Sequence, residues 1–134
     1  MRSSVPRSAD TAAAAIRTAR RLVKEAWAND RRWERCHREA RQVLEQALAR
    51  QRDHVALMTC LGAVLSDQGQ HRAARTLLLK AVARKPRDAN AYFNLAVATL
   101  NLGRHSEADR YFALAGKFAR SRTTLEAYFD PHGH

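Results

Sequence analysis

From Val55 to Asp67 the apolar residues Met58, Leu61 and Leu65 recur every three or four positions, which places them along one face of a helix. Gln68-Gly69-Gln70 interrupts the pattern, and glycine enters the left-handed conformation that ends a helix without steric penalty. Ala74, Leu77, Leu78, Ala81 and Val82 resume the pattern to about Arg84, where Pro86 stops the chain from continuing as helix. Residues 55–88 therefore predict two antiparallel helices joined by a tight turn. Gly62 stands on the first helix where a larger side chain would hold the second one off. Such a hairpin cannot bury both of its faces alone, so copies must stack.

The pattern recurs at an offset of 34 residues. Ala40, Ala74 and Ala108 keep that step, as do Ala47, Ala81 and Ala115, and Leu44, Leu78 and Phe112. Trp27, Leu61 and Leu95 align and are followed by the small residues Ala28, Gly62 and Ala96, while His37, His71 and His105 share the interval. Three units follow, 21–54, 55–88 and 89–122, preceded by a tail and helix extension over 1–20 and followed by a segment over 123–134. No breaker lies between Ala9 and Ala28, so the first helix is expected to be extended, with Ser8 or Asp10 as its N-cap. Its Ala12–Ala15 face offers small residues for internal packing or for a homodimer contact. Thr123 and Glu126 form a capping-box signature before Leu125, Tyr128 and Phe129, and Asp130-Pro131 closes the segment. A short final helix capping the stack is expected there, the alternative being that the aromatic pair folds into the groove as a plug. The fold class is all-α, a stack of antiparallel hairpins with a C-terminal capping helix.

These residues resemble the tetratricopeptide repeat family, whose 34-residue unit follows W-x2-L-G-x2-Y, then A-x3-F, then P. The middle unit places Met58, Leu61, Gly62, Leu65, Ala74, Leu78, Ala81 and Pro86 at those positions. The third unit matches through Tyr92, Leu95, Ala96, Gly103, Ala108, Phe112 and Ala115 and departs at Thr99 and Arg120. The first keeps Trp27, Ala28, Ala40, Leu44 and Ala47 but has Lys24, Arg31, Arg35 and Arg52 where aromatic residues, glycine or proline are usual.

The resemblance implies a concave wall lined by the first helix of each hairpin. Its groove positions fall on Glu25, Asn29 and Arg32, then Thr59, Ala63 and Ser66, then Asn90, Phe93, Asn94, Val97 and Asn101. The amides of Asn90, Asn94 and Asn101 both donate and accept, which suits an extended peptide backbone without demanding one sequence, and Phe93 and Val97 add an apolar pocket. Replacing Asn94 and Asn101 by Ala is expected to weaken partner binding with little loss of folding. A basic clamp for a partner's terminal carboxylate is not implied. Asn29 matches one clamp position, but Glu25, Cys60, Asn90 and Asn94 occupy the others. The size and layout also resemble bacterial type III secretion chaperones, which cradle an extended segment of cargo.

With five Gly and three Pro in 134 residues, the chain lacks the turns that a sandwich or barrel requires. Two Cys cannot build a disulfide framework, which fits a reducing, cytoplasmic setting. No stretch approaches the ~20 apolar residues of a membrane span. The apolar run Ala12–Ile16 is followed at once by Arg17, Arg20 and Arg21, unlike a secretory signal. Residues 2–21 share an Arg-, Ser- and Ala-rich composition with transit peptides, a reading ranked below a frayed tail.

The net charge of +11 is spread along the chain. Its densest run places Arg31, Arg35 and Arg38 on one helical face continued by Arg41, either a solvated surface or an attractor for an acidic partner. Nucleic acid is the competing partner class, although no recognition helix or aromatic-rich basic strand accompanies the charge. Stacked helices lie about 8–10 Å apart, too far for His37, His71 and His105 to share one zinc ion whose ligands stand at about 2.0–2.1 Å. Cys36 and His37 are adjacent and do not face each other, and Cys60 reads as a small buried hydrophobe. No phosphate loop, carboxylate pair or nucleophile elbow is present, so no enzyme activity, metal or cofactor is expected. The sequence points to a non-enzymatic module that binds an extended or helical segment of another protein.

Overall fold

The computed structural model describes residues 8–128, with side chains from residue 11 onward. Six helices follow in order: α1 (Ser8–Ala28), α2 (Trp33–Arg50), α3 (Val55–Asp67), α4 (His71–Ala83), α5 (Ala89–Asn101) and α6 (His105–Ala115). They pair as α1–α2, α3–α4 and α5–α6, and the hairpins stack through α2–α3 and α4–α5, with α1, α3 and α5 side by side. The described residues thus form the all-α hairpin stack expected from the periodicity. The side chains of Ser8 and Asp10, with Phe129 and Asp130-Pro131, lie outside the described ones.

Two glycines fix the turn geometry. Gly69 and Gly103, one repeat length apart, both take φ +80, a conformation that L side chains rarely adopt. Accordingly α3 and α5 begin and end 34 residues apart, and α4 and α6 begin 34 residues apart. The equivalent position in the first hairpin is Arg35, whose Cβ makes the left-handed region costly though not closed, as Lys85 at φ 54 shows. The chain turns earlier instead. Asn29 caps a 3-10 turn (Asp30–Arg32), its side chain accepting from the Arg31 N–H at 3.0 Å, and α2 starts at Trp33. Helix α2 therefore begins four residues ahead of its register. As a result Trp27 is 49% exposed, whereas its repeat partners Leu61 and Leu95 are 4% and 0% exposed. The core of α1 is carried by Ala12, Ala15, Ile16, Ala19, Leu22, Val23 and Ala26. Ala12 and Ala15 pack inward while Ala13 and Ala14 face solvent, so only half of the small-residue face is free.

Between α3 and α4 the closest approach is at Gly62. A Cβ there would stand 2.5 and 2.7 Å from Leu78 Cδ2 and Cδ1, and Leu78 is itself fully buried. Further along, Arg75 of α4 pairs with Glu107 of α6, whose carboxylate also accepts from Tyr111 Oη at 3.3 Å. The Arg75 hydrogen bond holds the Glu107 carboxyl below its usual range, against an opposing effect of burial.

The expected capping helix at 123–130 does not form over its described part. Residues 119–128 run as a non-helical strap. Glu126 does not reach back to the Thr123 backbone but pairs with Arg120 Nη1 at 3.1 Å, and the Thr123 N–H is taken by Ser121 Oγ at 3.1 Å. A helix of two turns is marginal on its own, and the polar side chains of α3 and α5 offer the strap's backbone better partners.

Gly62→Leu should destabilise the fold by about 1–3 kcal/mol, read from the midpoint of urea unfolding, because buried Leu78 has nowhere to move. The folded Glu107 pKa is depressed, so its contribution is intact above the ordinary value of 4.5 and lost as pH falls through the folded value. Glu107→Gln should accordingly flatten the fall in stability as pH drops below 4.5, measured by denaturant titration at each pH.

Candidate functional site

The strap occupies the wall formed by α1, α3 and α5. At its centre stands Asn94, fully buried on α5. Its Nδ2 donates to the Leu125 carbonyl at 3.0 Å and to the Thr59 carbonyl at 3.1 Å, while its Oδ1 accepts from the Ala127 N–H at 2.7 Å. One side chain thus grips an extended backbone through a carbonyl and an N–H two residues apart. One helical turn earlier, Asn90 Nδ2 donates to the Ser121 carbonyl at 3.2 Å and to Thr124 Oγ1 at 2.9 Å.

Asp88 organises the same end. As N-cap of α5 it accepts from the Asn90 N–H at 2.9 Å, and it also accepts from the Ser121 N–H at 2.9 Å and from Thr124 Oγ1 at 2.5 Å. The helix cap is Asp88, and Asn90 is left free to face the strap. From α3, Cys60 Sγ accepts the Leu125 N–H at 3.4 Å and Asp67 Oδ1 accepts the Tyr128 N–H at 2.7 Å. Burial pushes the Cys60 thiol up to about 12, against the opposing effect of the Leu125 hydrogen bond.

Asp67 ties the strap to the first hairpin, because its other oxygen stands 3.1 Å from His37 Nε2. The His37 and Asp67 side chains are 1% and 2% exposed, and His37 Nδ1 faces the Trp33 carbonyl at 2.9 Å. The Trp33 ring lies against His37, and the edge of Tyr128 meets Trp33 at 5.7 Å and Trp27 at 5.9 Å. The other repeated histidines differ. His71 Nδ1 is 3.4 Å from Ser66 Oγ, with its pKa held low by burial against the pull of nearby Asp67, whereas His105 is exposed at the start of α6.

The residues carried over from the groove pattern divide into three groups. Asn90 and Asn94 hold the strap directly, and Thr59 joins them through its carbonyl, its hydroxyl being turned back to the Val55 carbonyl at 2.9 Å. Ala63, Ser66 and Val97 are buried, and Phe93 packs edge-on against Phe112 of α6. Asn101, Asn29 and Arg32 are exposed; Asn101 Nδ2 donates to the Val97 carbonyl and Arg32 pairs with Glu25. The expectation that Asn94 can be removed with little loss of folding is overturned, since this buried amide satisfies three strap and backbone groups. Cys60, Asp67 and Asp88 were not expected in the site. Asp88 before the apolar run of α5 was a readable N-cap signal.

The basic run does not form one face. Arg31 lies in the 3-10 turn ahead of α2, because the first hairpin turns early. Arg35 and Arg38 are exposed on α2, and Arg41 bonds Glu45 Oε2 at 3.1 Å and Gln68 Oε1 at 3.4 Å. Arg38 and Arg41 line a cleft of about 680 Å³ with Trp33, Glu34, Gln42 and Glu45, so the surface is of mixed charge. No helix among the described residues is long and apolar enough to cross a membrane.

Residues 77–110, from the second half of α4 through α5 into α6, match the family model described as tetratricopeptide repeat. No match was found among curated proteins.

With Cys36 replaced by Ala, Cys60 should react with a thiol reagent at pH 8 at least ~100-fold more slowly than a free thiol; a free-thiol rate would show that the strap does not cover it. Asp67→Ala should cost about 1–3 kcal/mol in urea unfolding, because it strips buried His37 of its hydrogen-bond partner.

Proposed function

We propose that this chain, whose residues 77–110 match the tetratricopeptide repeat model, is a protein-interaction module whose concave wall holds an extended segment of a partner protein by backbone-directed hydrogen bonds. Repeats of this family serve generally as protein–protein interaction modules, without chemistry of their own. The observation that carries the reading is the two-point grip of Asn94 on the Leu125 carbonyl and the Ala127 N–H. A groove that accommodates an extended chain in this way is built for backbone recognition, and one amide serves both polarities of the peptide bond. Asn90 and Asn94 are the grip, Thr59, Ala63, Ser66, Phe93 and Val97 form or support its floor, and Asn101, Asn29 and Arg32 extend it at the open end. The exposed Arg31, Arg35 and Arg38, with Arg41 engaged by Glu45, add a long-range attraction for an acidic partner, an effect that weakens with salt. The working compartment is the cytoplasm.

The native chain should capture protein from lysate in amounts unchanged by nuclease, and Asn94→Ala should reduce that capture ~10-fold or more through loss of two hydrogen bonds. Because Asn94 also supports the fold, exposed Asn101→Ala serves as the companion variant, with unchanged unfolding midpoint and weaker capture. Unchanged capture by Asn101→Ala would remove that residue from the site. Retention of nucleic acid alone, with no protein left after nuclease, would overturn the groove reading in favour of a basic nucleic-acid binder.

A further inference from the structure

We propose that the partner segment copies the chemistry of residues 124–128 and binds by displacing them. Read from N to C, the pattern is a hydroxyl residue, a branched apolar residue, an acidic or polar residue, a small residue and an aromatic residue. The inference rests on the groove reading above and adds which segment the groove accepts.

Each place is set by a separate contact. At the first, Thr124 Oγ1 donates to Asp88 and accepts from Asn90, so an apolar side chain would strand both a carboxylate oxygen and an amide N–H. At the second, Leu125 is 8% exposed with its backbone bonded by Cys60 and Asn94, and its side chain borders the same cleft as Val23 and Trp27 of α1. Glu126, at the third, pairs with Arg120 and is partly buried in the cleft that Arg20, Arg21 and Lys24 of α1 also line, so the place suits an acidic or polar side chain. Ala127 is 2% exposed with its N–H held at 2.7 Å, which leaves no space for a large side chain. At the fifth, the Tyr128 ring edge rests on Trp27 and Trp33, an aromatic platform assembled by the early turn of the first hairpin.

The strap is an incomplete occupant. Asn90 Oδ1 is buried and receives no hydrogen bond, and half of Tyr128 stays in water. A segment that supplies a donor beside Asn90 gains an interaction the strap leaves unmade. What favours the strap is its tether, because covalent attachment gives it an effective concentration on the order of millimolar. The strap therefore acts as a tethered competitor that sets a threshold for the partner.

The test uses the full chain and a fluorescent peptide, Ser-Arg-Thr-Thr-Leu-Glu-Ala-Tyr, corresponding to residues 121–128. Leu125→Asp loosens the strap by placing a charge in its buried seat, with helix content checked by circular dichroism. Ala127→Arg is the second strap variant should the first not fold. By fluorescence anisotropy the loosened chain should bind the peptide at least ~10-fold more tightly than the native chain does. Peptides carrying Ala127→Trp or Tyr128→Ser should lose at least ~10-fold of that affinity. Equal binding of a scrambled peptide overturns the pattern. If a pool of unrelated extended octapeptides then binds the loosened chain and Asn94→Ala abolishes that binding, the groove reading stands while the pattern falls. If no peptide binds the loosened chain, both fall. A native chain that sediments as a dimer and is split by the peptide would make a second copy the occupant and overturn the partner proposal.

Discussion

A carboxamide with no access to water must find its donors and acceptors inside the protein, and Asn94 sits in the middle of a wall otherwise made of helix sides. Helices satisfy their own backbones and offer such a group little. The Thr59 carbonyl supplies one partner, and the others come from a chain segment whose backbone is not used in a helix. That requirement explains why residues 121–128 stay out of helix despite a sequence that signals one. It also couples the strap to the stack, since Asn94, Cys60, Asp67 and Asp88 bond the strap from two helices of two different hairpins. Removing the strap would open those polar groups to water and exchange its hydrogen bonds for water's, at a net cost of about 0.5–1.5 kcal/mol for each bond.

The first hairpin shows how one residue type redirects a repeat. Gly69 and Gly103 accept the left-handed turn and hold the second and third hairpins in a common register. Arg35 stands where such a glycine would be, and the turn moves upstream to the Asn29 cap and its 3-10 helix. That shift brings Trp33 to the start of α2, carries His37 into its interior, and leaves Trp27 uncovered. The Trp27–Trp33 surface and the buried His37–Asp67 pair are both products of the displacement. A departure from the repeat pattern thus built the part of the groove that receives the aromatic end of the strap.

The hairpin stack was legible because helical periodicity, turn glycines and small residues at close approaches are all local signals, and Gly62 against Leu78 is the clearest of them. Asn90 and Asn94 were legible through their repeat position. Their partners were not, because a contact such as Asn94 to Leu125 spans 31 residues and depends on the path of a segment whose local signals favour something else. The capping box at Thr123 and Glu126 failed for that reason: local propensity is a weak prior, and buried amides outweighed it. The early turn after α1 was implied by the missing glycine at Arg35, but its consequence for Arg31 was not. A basic face drawn by helical spacing is valid only as far as the helix extends.

The charge follows the same logic. Arg41 is engaged by Glu45 and Gln68, Arg32 by Glu25, Arg75 by Glu107 and Arg120 by Glu126. A substantial part of the basic content is thus tied to structural acids, while exposed arginines such as Arg35 and Arg38 project a field into solvent. The contacts that hold the strap are carbonyls, amides, hydroxyls and carboxylates on the groove side, and the carboxylates Asp67 and Asp88 accept N–H and O–H groups. An acidic residue pressed directly onto those carboxylates would be repelled, whereas Glu126 of the strap pairs with Arg120 and lines a cleft with Arg20, Arg21 and Lys24. In the proposed reading, attraction by charge and recognition by backbone therefore fall on different parts of the surface, charge acting on the encounter and the hydrogen-bond pattern on the choice of segment.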